Sequence, residues 1–362
     1  MTTAARHLMI ERVLTIDGSW GEGGGQVLRT SLALSLLTGK PFRIVGIRKR
    51  RSRPGLRPQH LTAVRASEEV GNATVTGAEI GSQELTFTPQ PVRGGGYAFD
   101  IGTAGSTTLV LQTVLPALIS ASEPSNLLLE GGTHNPQSPA FEFIERAYLP
   151  LVRRLGPNVR ATLERPGFYP AGGGRMRVEI EPVSELMPFD LLDRGVIREH
   201  RATATVAHLP RHIAERELDV LSKKLRWEPD CFSIVERVDT DGPGNVVIVE
   251  LIADRVTEVF AGFGQKGVPA EEVAKRLGNE VKEYLRAEVP VGRHLADQLV
   301  LLNGIAGGGA FRTLSPTGHL TTQLRVIRAF LAVDFEVSRE ATGSWLVARK
   351  GWSRGDSHDH GL

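Results

Sequence analysis

Strand-like and helix-like runs alternate along almost the whole chain of 362 residues, which narrows the possible folds more than any other pattern in the sequence. Leu8–Ile16 and Phe42–Ile47 are short, rich in β-branched residues and bounded by turn residues, which is typical of strands. Gln26–Thr38 and His60–Val70 carry apolar residues at helical spacing, and a glycine follows each of them. The alternation predicts an α/β protein in which helices pack on sheets.

The same order of predicted elements, strand–helix–strand–helix–strand–strand, occurs more than once, although the amino-acid sequence itself barely repeats. We therefore predict weak structural repeats. The further predicted strands of this region are Ala73–Val75, Glu84–Phe87, Tyr97–Ile101, Asn126–Glu130 and Met176–Ile180. The further predicted helices are Ser106–Ser120 and Pro139–Leu155.

From residue 185 to residue 265 the glycine-rich loops disappear, and a helix (Ile213–Trp227) stands between strands of its own (Ala202–His208 and Val246–Ile252). We predict a smaller inserted α/β domain over 185–265 and a large catalytic domain over 1–184 and 266–350. Residues 351–362 are predicted to be a flexible tail. The C-terminal elements predicted to complete the large domain are Ala270–Ala287, His294–Asn303, His319–Val333 and Trp345–Ala348.

Composition excludes several classes of protein. The 43 basic residues nearly balance 41 acidic ones, so any contact with nucleic acid must come from a local patch. The single cysteine, Cys231, excludes an internal disulfide and a cysteine-based zinc site. The most apolar stretch, Leu109–Ala121, is too short to span a bilayer, and the N-terminus lacks the features of a signal peptide. We expect a soluble, cytoplasmic protein without a membrane partner.

Four glycine clusters stand out, and the first three lead directly into predicted helices. A glycine-rich loop before a helix exposes backbone N–H groups and the positive end of the helix dipole, which suits phosphate. None of the clusters is a Walker loop or has the Rossmann spacing. Tight turns and close packing are the alternative interpretation. The clusters are Gly21–Gln26, Gly102–Ser106, Gly131–Pro136 and Pro170–Gly174.

Positive charge is concentrated in Arg48–His60, which has six Lys or Arg residues and no acid. Its proline and glycine residues predict a loop, either a clamp for phosphate or RNA backbone or simply a solvated surface. Arg29 differs, because it lies in the first turn of an otherwise apolar helix, where a charge is costly unless it is paired or used.

His319 is predicted to begin an amphipathic helix. A helix N-terminus disfavours imidazolium, so the ring tends to stay neutral, and a neutral imidazole can attack an activated phosphorus. A capping or packing role is the alternative, and Asp297 and Gln298 in the preceding helix are equally ambiguous. From the residues alone, the chain is an α/β enzyme that acts on a phosphorylated ligand, such as a nucleotide or an RNA end.

Taken together, these motifs identify a resemblance to the RNA 3′-terminal phosphate cyclases over about residues 11–348. The series is specific because it is collinear, whereas a single glycine run would not be. The matching stretches are Asp17-Gly18, Gly21–Arg29, Arg53–Leu56, Gln59–Ala63, Gly105-Ser106, Leu109–Thr113, Gly132-Thr133, Asn135-Pro136, Gly167–Gly174, Ala296–Leu299 and His319–Thr322.

The resemblance implies a large domain of three repeated βαβαββ units, similar to the C-terminal domain of translation initiation factor 3, with a smaller inserted α/β domain. It implies ATP-dependent conversion of an RNA 3′-phosphate to a 2′,3′-cyclic phosphate through a covalent His–AMP and an RNA–adenylate. ATP, a divalent metal (Mg or Mn) and RNA with a 3′-phosphate end are the implied cofactors and partner. Monomer and dimer both remain open.

The resemblance also implies site residues. The nucleophile falls on His319, and a metal ligand falls on Glu22. The positions that line the nucleotide and phosphate pocket are Arg29, Arg48, Arg51, Gln59, His60, Gln112, Phe263, His294, Asp297 and Gln298. His294 departs from the family, which usually has tyrosine there.

Two other functions are kept as alternatives. One is a cyclase-like RNA-processing or ribosome-assembly factor that shares the fold without adenylylation, although such proteins lack the nucleophilic histidine. The other is a small-molecule transferase built from similar units, such as an enolpyruvate transferase.

Overall fold

The structure is a computed structural model that describes residues 13–21 and 24–353. Residues 8–12 of the first predicted strand, the predicted metal ligand Glu22 and residues 354–362 of the predicted tail lie outside the described residues. The described part of the chain forms four small sheets with helices packed on them, which confirms the α/β class.

The first sheet has the strand order β1-β2-β4-β3. β1 and β2 are parallel, and the other two pairs are antiparallel. Its elements are β1 (Leu14–Asp17), α1 (Gln26–Thr38), β2 (Phe42–Val45), α2 (Pro58–Val70), β3 (Thr74–Thr76) and β4 (Glu84–Thr88).

The second sheet has the order β5-β6-β8-β7, again with one parallel pair followed by two antiparallel pairs. A π-helical turn, Ile144–Tyr148, separates its two short α-helices. The elements are β5 (Gly95–Asp100), α3 (Thr107–Leu118), β6 (Ser125–Gly131), α4 (Phe141–Phe143), α5 (Leu149–Arg154), β7 (Asn158–Arg165) and β8 (Gly174–Glu181).

The third sheet has a different order, β10-β9-β11-β12. It has a hydrophobic core of its own, to which both of its helices contribute. This core therefore extends into α7, beyond residue 265, the predicted end of the inserted domain. The elements are β9 (Ile197–Ala207), α6 (His212–Leu225), β10 (Phe232–Arg237), β11 (Gly244–Ala253), β12 (Thr257–Phe263) and α7 (Ala270–Ala287).

The fourth sheet has three antiparallel strands in the order β13-β15-β14. Val291 and Leu191 each add a single parallel bridge to β13, Val291 at Thr313 and Leu191 at Phe311. The elements are α8 (Arg293–Ile305), β13 (Ala310–Thr313), α9 (Gly318–Phe330), β14 (Phe335–Arg339) and β15 (Trp345–Arg349).

α1 is the central helix of the main core. It packs against α2, α3 and α9, and nearly all of its side chains from Val27 to Leu36 are buried. It ends at Gly39, whose φ of 71° provides the left-handed conformation that terminates helices. Because α1 begins next to α9, its first turn lies beside the first turn of that helix, where His319 is found.

Five strands, β7, β10, β12, β13 and β14, were not predicted from the sequence. β7, β10 and β14 lie at sheet edges and carry many polar residues, so their apolar pattern is weak. None of the helices in the two described ranges combines the length and the apolarity that crossing a bilayer requires.

Candidate active site

His319 lies in the first turn of α9, where the sequence places it. Thr317 caps this helix, because its hydroxyl oxygen accepts the Leu320 N–H at 3.0 Å. The same hydroxyl donates to Asp297 Oδ1 at 2.5 Å. The cap therefore determines where the imidazole leaves the helix, and it ties α9 to α8.

A chain of side-chain amides connects the His319 ring to a backbone carbonyl. Gln323 Nε2 donates to the Asp297 carbonyl at 2.6 Å, so Gln323 Oε1 faces the other way. That oxygen accepts from Gln26 Nε2 and from Thr30 Oγ1, each at 2.8 Å. Gln26 Nε2 also donates to the His319 carbonyl at 3.2 Å, and Gln26 Oε1 lies 2.7 Å from His319 Nδ1. Because a carbonyl can only accept, the carbonyl at one end of the chain determines each amide orientation in turn.

The amide chain also determines the tautomer of His319. Gln26 Oε1 is an acceptor, so His319 Nδ1 carries a proton. In the neutral ring the lone pair is then on Nε2, the nitrogen on the other side of the imidazole. The arrangement can present an oriented nitrogen nucleophile.

His60 contributes a second imidazole, next to the first glycine cluster. Its Nδ1 accepts the Arg57 N–H at 3.2 Å, so the neutral ring carries its proton on Nε2. A Cβ on Gly25 would lie 2.3 Å from His60 Nε2 and 2.8 Å from an Arg29 nitrogen, and only glycine leaves that space open. Loop backbone, an imidazole N–H and a guanidinium therefore meet at one point.

Arg29 is the isolated charge of α1. Its side chain is only partly exposed, and desolvation lowers its pKa to about 10. Across residues 13–21 and 24–353, no carboxylate forms an ion pair with its guanidinium. A desolvated cation is costly unless an anion compensates its charge. Together with the adjacent helix N-terminus, Arg29 favours an anion-binding site beside Gly25.

The protonation of His60 makes folding stability depend on pH. Burial and the charges of Arg29, Arg48 and Arg57 lower the pKa of His60 to about 3, whereas an unfolded histidine titrates at about 6.5. Below pH 6.5 the unfolded chain therefore binds a proton that the folded chain does not, and the free energy of unfolding falls as pH falls.

We expect His60→Gln to remove this dependence. Between pH 7.5 and pH 5.5, the wild type should lose about 1 kcal/mol more than the variant does. Urea unfolding at the two pH values measures the difference. An equal loss in both proteins would contradict a neutral, buried ring.

Within the basic loop, two of the predicted arginines have different environments. Arg51 lies against the glycine cluster, since one of its nitrogens is 3.1 Å from the place that a Cβ on Gly24 would occupy. Arg48 instead donates to the carbonyls of Arg53 and Gly55, at 2.6 and 3.2 Å. Arg51 is therefore next to the candidate anion site, and Arg48 holds the turn of the loop.

Two further predicted residues join neighbouring parts of the site. Asp297 is buried and is linked to the α9 cap through Thr317. Gln59 Oε1 accepts the Ser106 N–H at 3.4 Å, which connects α2 to the second glycine cluster.

His294 is the predicted site residue that departs from the family. Its side chain is 72% exposed, and its Nε2 lies 3.4 Å from Glu280 Oε1. The hydrogen bond to Glu280 raises the pKa of His294. The ring is therefore available at the surface near the start of α8.

Three further predicted residues form no side-chain hydrogen bond with another predicted site residue in the described part of the chain. Gln112 is buried in α3, and its Nε2 has no hydrogen-bond partner in the part of the chain that is described. Phe263 ends β12 and packs, partly buried, against the main core. Gln298 is partly exposed in α8. Their roles stay predictions.

The metal site also stays a prediction. Among the side chains of residues 13–21 and 24–353, no three His, Cys, Asp or Glu groups are arranged to hold a metal ion. The predicted ligand, Glu22, lies outside those ranges.

The sequence motifs assign no role to Gln26, Gln323 and Thr317, although all three contact the His319 region. Gln323 could have been found, because a residue four positions after His319 lies on the same side of a helix. Gln26 is separated from His319 by 293 positions, and no local pattern connects them.

Known proteins resemble this chain over most of its length. Residues 20–337 match the family model described as RNA 3′-terminal phosphate cyclase. The protein named RNA 3′-terminal phosphate cyclase from Koribacter versatilis is 50% identical over 328 residues, which cover 91% of this chain and 92% of the relative. The proteins of the same name from Ectopseudomonas mendocina and Pseudomonas fluorescens are 49% and 50% identical, over 89% and 91% of this chain and 93% and 95% of their own lengths. The chain therefore belongs to the RNA 3′-terminal phosphate cyclase family, a family of enzymes.

Proposed function

We propose that this chain converts an RNA 3′-phosphate end to a 2′,3′-cyclic phosphate, using ATP. The observation that carries the proposal is the imidazole of His319, oriented by Gln26 next to the anion-binding corner at Gly25 and Arg29. Gln26 and Arg29 are three positions apart in the first turn of α1, so nucleophile and anion site are neighbours.

In the first step, His319 Nε2 attacks the α-phosphorus of ATP. A phosphorus–nitrogen bond forms, the bond to the β-phosphate oxygen breaks, and pyrophosphate leaves with the electron pair. Arg29, Arg51 and the His60 N–H are placed to stabilise phosphate charge around the glycine cluster. Since Nδ1 donates to Gln26, the positive charge that develops on the ring is stabilised by the amide oxygen.

In the second step, an oxygen of the RNA 3′-phosphate attacks the adenylylated phosphorus, which restores His319 and forms an RNA–adenylate anhydride. In the third step, the neighbouring 2′-OH attacks the activated 3′-phosphorus, loses its proton and expels AMP. Adenylylation is needed because a phosphate monoester is a poor electrophile. The 2′-OH needs no separate binding, because it is held next to the phosphorus at high effective concentration.

A divalent metal held by Glu22 belongs to the same proposal. When bound, it would supply charge neutralisation at the phosphates. A cytoplasmic location also stays a prediction.

The proposal includes the architecture. The first two sheets are repeated βαβαββ units, and the fourth sheet is a third unit in which Val291 takes the place of the first strand. Their common element order and strand order support this interpretation. The third sheet, with its separate core, is the inserted α/β domain.

Labelling with ATP tests the reaction. Protein incubated with α-labelled ATP and Mg or Mn should take up label that is labile to acid and stable to alkali. RNA with a labelled 3′-phosphate should then become resistant to phosphatase, and RNA with a 3′-hydroxyl should be unaffected. A protein that takes up no label would instead agree with the non-adenylylating alternative. A requirement for a small phosphorylated acceptor in place of RNA would agree with a small-molecule transferase.

Gln26→Ala tests the orientation of the nucleophile. We expect the rate of adenylylation to fall roughly 10–100-fold, because the ring loses the partner that sets its tautomer, with the KM for ATP changed much less. Thr38→Ala, at the other end of α1, is the control. Stopped labelling reactions at several ATP concentrations separate the two constants. A rise in KM at constant rate would place Gln26 in nucleotide binding instead.

A further inference from the structure

We propose that Arg325, supported by Trp20, binds the phosphodiester on the 5′ side of the terminal nucleotide of the RNA. This inference rests on the proposed function, which assigns residues to ATP and none to the body of the RNA. It concerns a pair of residues for which the sequence motifs predicted no role.

Arg325 is an exposed arginine whose N–H donors are not used by any described residue. It is exposed on α9, and its guanidinium carbon lies 4.4 Å from the centre of the Trp20 ring. Within the described ranges, this guanidinium forms no hydrogen bond or ion pair. By contrast, Arg328 on the same helix pairs with Asp334 and donates to the Phe335 carbonyl. The Trp20 ring thus holds a planar cation in place without using its N–H donors.

The pair is adjacent to the candidate active site. His319, Thr322 and Arg325 follow one another at intervals of three along α9, in a row that turns by about 60° at each step, so Arg325 lies about 9 Å from His319 along the helix axis and about 120° around it. Gly21 packs against the middle of this row, since a Cβ there would lie 1.9 Å from Thr322 Oγ1, and its φ of +57° also favours glycine. Trp20 is therefore placed beside Arg325 by the same loop that leads to the anion site.

Further positive charge accompanies the pair. Arg50 donates to the Gly21 carbonyl at 3.3 Å, and Arg51 lies against Gly24. Asp17, the nearby carboxylate, accepts hydrogen bonds from the N–H and hydroxyl of Ser19, at 2.9 and 2.7 Å. These bonds and, to a smaller extent, the charges of Arg50 and Arg325 lower the pKa of Asp17. Three arginines thus lie along the glycine loop: Arg51 at Gly24, Arg50 at Gly21 and Arg325 at Trp20. A row of cations with an aromatic ring on an open surface suits a single-stranded nucleic acid, which continues beyond the active site, whereas ATP does not.

The length of the substrate distinguishes this site from the ATP site. A nucleoside 3′-monophosphate has no 5′ phosphate, and a nucleoside 3′,5′-bisphosphate has one. We expect the wild type to cyclise the bisphosphate with a KM about tenfold lower, the effect of one charge-assisted hydrogen bond. In Arg325→Ala this advantage should disappear, while the KM for the monophosphate stays the same.

Direct binding makes the test independent of catalysis. The affinity of a 3′-phosphorylated oligoribonucleotide, measured by fluorescence anisotropy without ATP, should fall about tenfold in Arg325→Ala. The slope of log Kd against log salt concentration should decrease by about 0.7. The affinities of Arg325→Lys and Trp20→Leu for the oligoribonucleotide should lie between those of the wild type and Arg325→Ala. Arg325→Lys keeps the charge but loses the planar guanidinium, and Trp20→Leu keeps the guanidinium but loses the ring that supports it. Arg328→Ala is the matched control and should bind RNA normally.

Two results would overturn the inference. One is an Arg325→Ala protein that binds the oligonucleotide with wild-type affinity and salt dependence. The other is a loss of adenylylation by ATP alone as large as the loss of RNA binding, which would place Arg325 in the ATP site. If no His–AMP forms in any protein, the proposed function fails, but the anisotropy measurement still decides whether Arg325 binds RNA.

Discussion

His319→Ala is expected to abolish incorporation of label from ATP and to reduce cyclisation of RNA 3′-phosphate ends by at least about 10³-fold. The variant lacks the nitrogen that forms the phosphorus–nitrogen bond. The amide of Gln26 cannot replace it, because the lone pair of an amide nitrogen is delocalised into the carbonyl group, and this nitrogen donates to Gln323 and the His319 carbonyl. The remaining anion-binding groups should still bind ATP. Gel detection of labelled protein and a phosphatase-protection assay measure the two losses.

The control for this substitution is His212→Ala, which removes another histidine from the first turn of a helix, α6. Its labelling should equal that of the wild type. His319 is only partly buried, so its replacement should change stability by no more than about 1 kcal/mol, and a thermal melt shows whether the variant is folded. A folded His319→Ala protein that is labelled as well as the wild type would refute the catalytic assignment.

Arg29→Met should have the second-largest effect. We expect kcat/KM for adenylylation to fall by about 10²–10³, the cost of removing one charged group from a desolvated phosphate site. Stability should not fall, because the substitution removes a desolvated cation without an ion-pair partner in the described ranges and leaves a side chain of similar length in α1. If the charge of Arg29 had a structural role instead, Arg29→Met would lower the stability and leave kcat/KM unchanged.

Ligand-induced stabilisation separates these two roles. ATP should raise the melting temperature of the wild type in proportion to log concentration above its Kd, and this shift should be lost in Arg29→Met. Arg43→Met, which removes an exposed arginine paired with Glu84 at 2.6 Å, is the control and should keep both the shift and the activity. A lower melting temperature together with normal kinetics would make Arg29 a structural residue.

Local patterns predicted the main helices because these depend on neighbouring residues. α1 spans the predicted range Gln26–Thr38, and α7 spans the predicted range Ala270–Ala287. Apolar spacing and terminating glycines are sufficient for such elements. Such patterns did not predict the edge strands β10 and β14, because pairing with a neighbouring strand determines these two more than their own residues do.

The contents of the candidate site were only partly visible in the sequence. The glycine cluster, Arg29 and His319 stood out as unusual residues for their positions. The role of the Gln26 amide and the contact between Trp20 and Arg325 were not visible, because glutamine and tryptophan are not unusual residues at those positions. Only the packing of α1 against α9 brings these residues together.

The sequence by itself determined the class of fold, the positions of the principal helices, the isolated arginine in an apolar helix and a histidine at a helix start. Each depends on properties of consecutive residues: side-chain periodicity, backbone freedom of glycine and the field of a helix terminus. The tertiary structure alone decided the strand order of each sheet, the proton position on His319 and the neighbours of Arg29. These depend on contacts between segments up to about 300 residues apart, which packing of the whole chain selects and no local pattern encodes.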